Sequence, residues 1–287
     1  KLENVRTVSN KIDSDQIMKI SVIQLNSQTD KEKNIKDALE LAANAIRQDN
    51  PDLIAFPEML SFNGGSEADK IKSAERIPDG ETTLALSEFA KEHGVFLHGG
   101  SFFEDAGDKI FNTSLAFNPK GQIIAQYRKI HLFDITTPNG NDYRESDTVL
   151  PGKDIVTYVA SNIKVGCSIC YDLRFAELYL ALARKNVDII MVPAAFTLQT
   201  GKDHWSTLLR ARAIETQSYV VAPGQCGEFP DGDNGMRQTW GHSMIIDPWG
   251  HIIAQVSDGK GWATATINSA YIKQIRSNVP VSKHRVL

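Results

Sequence analysis

The segment NPKGQIIAQ at Asn118 to Gln126 returns as DPWGHIIAQ at Asp247 to Gln255, and DLIAFPE at Asp52 to Glu58 is answered by DIIMVPA at Asp188 to Ala194. A Pro-x-Gly turn between two apolar runs is common hairpin grammar and explains part of this similarity. It does not explain a shared order of elements. Apolar periodicity and turn signals predict, in the first half, a strand at 19–25, a helix at 31–48 with Asp30 as N-cap, a strand at 52–56, a helix at 82–93, a strand at 95–103 and a hairpin over 112–129. The second half repeats the series with strand 163–169, helix 174–185, strand 187–192, helix 206–216, strand 218–226 and a hairpin over 240–257. An internal duplication is the simplest account.

Strands that alternate with helices and end in a hairpin make a mixed sheet with helices on one face, which leaves the other face apolar and in need of cover. Two such halves cover each other. The expected fold is therefore α/β, a four-layer αββα sandwich formed as a single domain over residues 18–287. Residues 1–17 are polar and aperiodic and read as a leader, an extension or an appended segment. The Pro-, Gly-, Asn- and Asp-bearing stretch 134–154 reads as a long functional loop, and the acidic, Gly-rich EFPDGDNGMRQ at 228–238 as a loop beside the site. The C-terminal VPVSKHRVL reads as a tail packed on another element or subunit.

Lys plus Arg number 31 and Asp plus Glu 35, a net charge of −4, so no basic excess favours a nucleic-acid or acidic-membrane partner. No apolar run approaches the roughly 20 residues that span a bilayer. Three cysteines are too few for a disulfide framework and fit a reducing, cytoplasmic setting.

Cys167 and Cys170 stand in a C-x-x-C spacing, but side chains alternate along a strand, so two cysteines three apart face opposite sides. Only Cys170, where the strand gives way to RFAELYLALARK, looks toward a site. No second ligand pair accompanies it, and neither a metal nor a cofactor is expected. Free cysteine is most often a small core residue, Glu58 alone could be a satisfied structural acid, and Lys129 alone an ordinary end-of-strand lysine. Together an acid, a lysine and a thiol each lie just past a core strand, where stacked sheets can bring them together. A serine hydrolase around His242 and Ser243 lacks a G-x-S-x-G elbow.

FPEM around Glu58, YRKIHLFD around Lys129 and GCSICYDLRFAEL around Cys170 resemble, in order and separation, the three signature blocks of the nitrilase superfamily of carbon-nitrogen hydrolases, and the resemblance extends over residues 18–285. It implies the αββα fold, a homodimer, and a catalytic triad of Glu58, Lys129 and Cys170, with Glu145 of RESDTVLPG as an auxiliary glutamate. In that reading Cys170 attacks an amide carbonyl, Glu58 accepts the thiol proton and later activates water, and Lys129 with the backbone N–H of Tyr171 receives the oxyanion. The products are an acid and ammonia, by way of a thioester.

The CYDLRF context resembles the Nit-type amidase branch and disfavours a nitrile. RAIETQSYVVA with GQCG points to deaminated glutathione as substrate, while HLFDI and RFAEL point in part to 2-oxoglutaramate. Arg174 is a candidate for binding a substrate carboxylate, with a structural ion pair to Glu177 at (i, i+3) as the plain alternative. Phe196, Thr197 and His204 are further candidate pocket residues. A catalytically idle interaction protein on the same fold is the competing reading of another class.

Overall fold

The computed structural model describes residues 17–136, 142–232 and 235–286. The reading of residues 1–17 thus lies outside the described residues save for Ile17, and so do parts of the two predicted loops, at 137–141 and 233–234. The first half runs β1 (Ile17–Gln24), α1 (Lys31–Asp49), β2 (Leu53–Ala55), α2 (Glu67–Ser73), α3 (Glu81–His93), β3 (Phe96–His98), β4 (Phe102–Asp105), β5 (Ile110–Phe117) and β6 (Ile123–Arg128). A ribbon, β7 (Asp134–Thr136) and β8 (Asp142–Arg144), and then β9 (Thr157–Ala160) lead to the second half. There follow β10 (Ile163–Cys167), α4 (Ala176–Arg184), β11 (Ile189–Met191), α5 (Leu198–Thr216), β12 (Tyr219–Ala222), a second ribbon of β13 (Cys226–Pro230) and β14 (Met236–Trp240), and the hairpin β15 (Met244–Ile246) and β16 (Ile252–Gln255). The chain closes with β17 (Gly261–Asn268), α6 (Ser269–Asn278) and α7 (Val281–His284).

The two halves build the same sheet twice. In the first, β1, β2 and β3 are parallel, β3 pairs antiparallel with β5, and β5 with β6. In the second, β10, β11 and β12 are parallel, β12 pairs antiparallel with β15, and β15 with β16. The likeness reaches the hairpin turns. Asn118 Oδ1 accepts from the N–H of Lys120 and Gln122 at 2.9 and 3.0 Å, and Asp247 Oδ1 accepts from those of Trp249 and His251 at 2.9 Å each. Gly121 and Gly250 close the turns at φ 74° and 89°, a region that costs a residue without Cβ little.

Alternation along β1 sorts its side chains between layers: Met18, Ile20 and Val22 join the core shared with the second sheet, whereas Ile23 packs with α1 and α3 through Ala38, Ala42, Leu86 and Phe89. Leu178, Leu182, Leu209 and Ala213 of α4 and α5 cover the far face of the second sheet. The order helix, sheet, sheet, helix is the predicted four-layer αββα sandwich. Asp30 caps α1 by accepting from Lys33 N–H at 3.0 Å. Among the described residues no helix is long and apolar enough to cross a membrane.

Several boundaries differ from the sequence reading. The strand predicted at 95–103 breaks in two because Gly100, at φ 61°, passes so close to Pro57 that a Cβ would lie 2.0 Å from its carbonyl oxygen. The stretch at 218–226 likewise breaks, β12 ending at Ala222 and β13 opening at Cys226. A 3₁₀ turn over Cys170–Arg174 replaces the start of the predicted helix at 174, and α5 begins at Leu198, eight residues earlier than predicted, at 206. The 228–238 segment belongs mostly to the β13–β14 ribbon. The C-terminal tail packs on the end of α5, where Gln217 Nε2 donates to Val279 O and Arg285 Nη2 to Glu215 O, both at 2.7 Å.

His98 of β3 is wholly buried, with ring nitrogens 3.1 Å from Ser114 Oγ and 3.3 Å from the hydroxyl of Tyr158 on β9 of the other sheet. Burial pushes its imidazole down to about 3, so it stays neutral in the folded protein. The unfolded chain takes up this proton below ~6.5, so the contribution to stability is intact above that pH and is lost as pH falls toward about 3. In His98→Gln, the slope of unfolding free energy against pH over the acid limb is expected to drop by up to ~1.4 kcal/mol per pH unit. Denaturant titrations at stepped pH measure it, and an unchanged slope would contradict the assignment.

Candidate active site

Each of the three proposed triad residues follows a strand directed at one end of the sandwich. Glu58 comes three residues after β2 and is 2% exposed; Lys129 ends the β6 run and is 3% exposed; Cys170 comes three residues after β10 and is 8% exposed. The backbone N–H of Lys129 donates to Asn112 O, and that of Cys170 to Pro193 O, each at 2.9 Å. Cys170 sits at φ 44° and Met59, next to Glu58, at φ 59°. Side chains with a Cβ are strained there, and such outliers cluster at functional sites.

The geometry around Glu58 is saturated with donors. Its Oε1 accepts from Lys129 Nζ at 3.0 Å and Asn112 Nδ2 at 2.9 Å, and its Oε2 accepts from the N–H of Ala195 at 2.8 Å. Cys170 lines the same cavity as this carboxylate, whose charge acts on its thiol. Lys129 Nζ also donates to both oxygens of Glu145, at 3.1 and 2.9 Å, and Glu145 Oε2 accepts from Phe133 N–H at 2.6 Å. Thus Lys129 is clamped between two carboxylates.

Burial disfavours the Lys129 ammonium, but Glu145 and Glu58 outweigh it and hold it well above the usual lysine range. Burial, with Glu58 adding to it and Lys129 opposing, raises the Cys170 thiol well above its usual value. The Cys170 thiol therefore rests neutral near the Glu58 carboxylate, an arrangement that can pass a proton from sulfur to oxygen. Cys167, packed in the core, is pushed up to about 12 by burial and takes no part.

Glu58, Lys129, Glu145, Cys170, Tyr171, Arg174, Phe196 and Thr197 all line one cavity of about 420 Å³, a volume suited to a small metabolite. Arg174 makes no ion pair with Glu177 among the described residues. Its guanidinium lies 3.3 Å from His204 Nδ1 and over the ring of Phe196, 5.3 Å from the centroid. Ser243, by contrast, is fully buried with its hydroxyl accepting from Gly224 N–H at 2.8 Å, a structural role.

Asn112 and Asp172 are among the site residues that escaped sequence reasoning. Asn112, on β5, matters only because β5 pairs with β6 and brings its amide to Glu58, a relation without a local signal. Asp172 reads in the sequence as an ordinary acid two residues past Cys170. Wholly buried, it accepts from Ile169 N–H at 2.8 Å, Tyr127 OH at 2.6 Å, and the N–H and Nδ1 of His131 at 3.0 and 2.7 Å. It ties the Cys170 turn to the strand that carries Lys129.

Residues 19–277 match the family model of the carbon-nitrogen hydrolases, and the chain belongs to that family: a hydrolase of carbon–nitrogen bonds other than peptide bonds, on the nitrilase-superfamily fold. More particularly, it is 42% identical to deaminated glutathione amidase of Synechocystis sp. over 93% of this chain and 97% of that one. It is 36% identical to an omega-amidase of Danio rerio over 93% and 94% of the two chains. The crystal structure of the C. elegans NitFhit protein superposes with a TM-score of 0.85 at 34% identity; 94% of this chain is covered, but the chain spans only 65% of that protein's length.

Proposed function

We propose that the protein is a cysteine-dependent amidase that hydrolyses a small carboxylate-bearing amide through a thioester on Cys170, acting most like the deaminated glutathione amidases. The observation that carries this reading is the Glu58 carboxylate, held by Lys129, Asn112 and Ala195 against the thiol of a strained Cys170 inside a metabolite-sized cavity.

As the sulfur bonds to the carbonyl carbon, Glu58 takes the thiol proton and the carbonyl oxygen becomes an oxyanion, received by the Lys129 ammonium and the N–H of Tyr171. Collapse breaks the carbon–nitrogen bond, and the proton on Glu58 passes to the departing nitrogen. The leaving group is ammonia for a primary amide and a free amine for a substituted one. Water then gives a proton to Glu58 as it attacks the thioester, and the second collapse expels the thiolate, which regains that proton. Glu145 keeps Lys129 charged and in place.

Arg174, its fork free of carboxylates among the described residues, serves a substrate carboxylate, and Phe196 and Thr197 shape the cavity beside it. A homodimer is supported by exposed Ile214 and Trp249, which adjoin where α5 meets the β15–β16 turn, and a reducing cytoplasmic setting by three free buried cysteines. The second reading, an omega-amidase taking 2-oxoglutaramate, is favoured by the similarity to the Danio rerio enzyme.

Deaminated glutathione and 2-oxoglutaramate share one acyl group, so both release 2-oxoglutarate. A panel of these two, a carbamoyl amino acid and a simple nitrile, followed by acid formation, is expected to show turnover of the first two amides, the former with the higher kcat/KM. Silence with every amide, or turnover of the nitrile alone, would overturn the proposal.

A further inference from the structure

The wall of the cavity built by α2 and the β13–β14 ribbon contains binding groups that the triad and Arg174 do not use. Gly64, at φ 95°, packs so tightly against the ribbon that a Cβ would lie 1.9 Å from Pro230 O, and Gly65 N–H donates to that same oxygen at 3.0 Å. This contact seats the ribbon on the loop that leads into α2 and fixes three side chains lining the cavity, Asn63, Lys70 and Arg237.

Asn63 is only 5% exposed, yet its Nδ2 has no hydrogen-bond partner among the described residues. A buried donor left unpaired is costly, and one that lines a cavity calls for an acceptor from a ligand. Lys70 is half-buried and makes no ion pair among the described residues. Arg237 is held over the Tyr143 ring, 4.0 Å from its centroid, and meets Asp231 through Nη1 alone at 3.5 Å, which offsets that acid while leaving the rest of the fork for a ligand. One amide donor and two cations lining one cavity match a carboxylate; of the acids lining it too, Asp231 faces Arg237, Asp142 faces Arg144 and Thr136, and Glu67 is exposed.

Resting on the amidase reading above, we infer that Asn63, Lys70 and Arg237 form a second carboxylate subsite, which takes an acidic group on the amine side of the scissile amide. The preferred substrate is then an N-substituted amide with a carboxylate on each side of the bond, one for Arg174 and one for this wall. The subsite makes the β13–β14 ribbon a specificity element.

Deaminated glutathione carries a carboxylate on its leaving group, and 2-oxoglutaramate presents the same acyl group without it. The ratio of kcat/KM for the two substrates is measured in wild type, Arg237→Gln, Lys70→Gln and Asn63→Ala. The ratio is expected to fall about tenfold or more in Arg237→Gln and severalfold in each of the others, through KM for deaminated glutathione. A ratio within about twofold of wild type in all three, or equal losses on both substrates, would overturn the subsite. Lys70 belongs to a short helix with no fully buried residue, so Lys70→Gln reads the ratio even where another variant fails to fold. If the wild type turned over neither substrate, the amidase reading would fall and the subsite with it, an outcome distinct from an unchanged ratio.

Discussion

Cys170→Ala is expected to lower amide turnover by ~10⁴-fold or more while leaving the protein folded. The loss is so large because, among the described residues, no other nucleophile adjoins the acceptor: Cys167 is committed to the core with its thiol pushed up to about 12, and Ser243 is bonded to Gly224. The fold tolerates the change because it removes a single sulfur from a residue at the edge of a cavity, so the surrounding core keeps its packing. Steady-state kinetics with either amide, beside a thermal melt of the variant, separates the two effects. A Cys170→Ala protein that retained wild-type turnover would remove the covalent mechanism altogether.

Glu58→Gln carries the second largest expected effect, a fall in kcat of ~10²–10⁴-fold, together with a stability loss of ~1–3 kcal/mol. The carboxylate accepts from Lys129 and Asn112 on one oxygen and Ala195 on the other. A glutamine has one oxygen for these donors and turns an N–H₂ toward at least one of them, which breaks the arrangement in either orientation. The amide also cannot accept the thiol proton or the proton of water, so both the acylation and deacylation steps suffer. Pre-steady-state release of ammonia or amine reads the first step and acid formation the second; a variant slowed in only one of them would divide the two roles between different residues.

Much of this architecture is legible in the sequence because it rests on local signals. The paired turns at Asn118 and Asp247 carry their own hydrogen-bonding acid or amide and a left-handed glycine, so two copies of the hairpin announce the duplication. Cys170 lines the cavity and Cys167 does not, but β10 stops at Cys167, so the 3₁₀ turn over Cys170–Arg174, and not the predicted strand parity, sets them apart. The acid, lysine and thiol were recognisable by their place just past core strands.

What stayed hidden depends on contacts across the chain. β17 completes the first sheet by pairing with β1 from the far end of the sequence, and its weakly buried residues offer no clean alternation. The break at Gly100 is imposed by the approach of Pro57, and HGGS alone does not announce it. Asn112 and Ala195 reach Glu58 from other strands, and the two ribbons over the cavity come from segments whose Gly, Asn and Asp content reads simply as loop. The unpaired amide of Asn63 is visible only once the cavity around it exists.

The most direct test of the account is intact-mass analysis of protein quenched during turnover of 2-oxoglutaramate or deaminated glutathione, followed by peptide mapping. Both substrates are predicted to leave the same adduct, one acyl group attached to Cys170, that decays as acid forms and is missing from Cys170→Ala. Turnover without that adduct in any quench, including Glu58→Gln with its slowed deacylation, or an adduct on a residue other than Cys170, would contradict the thioester mechanism.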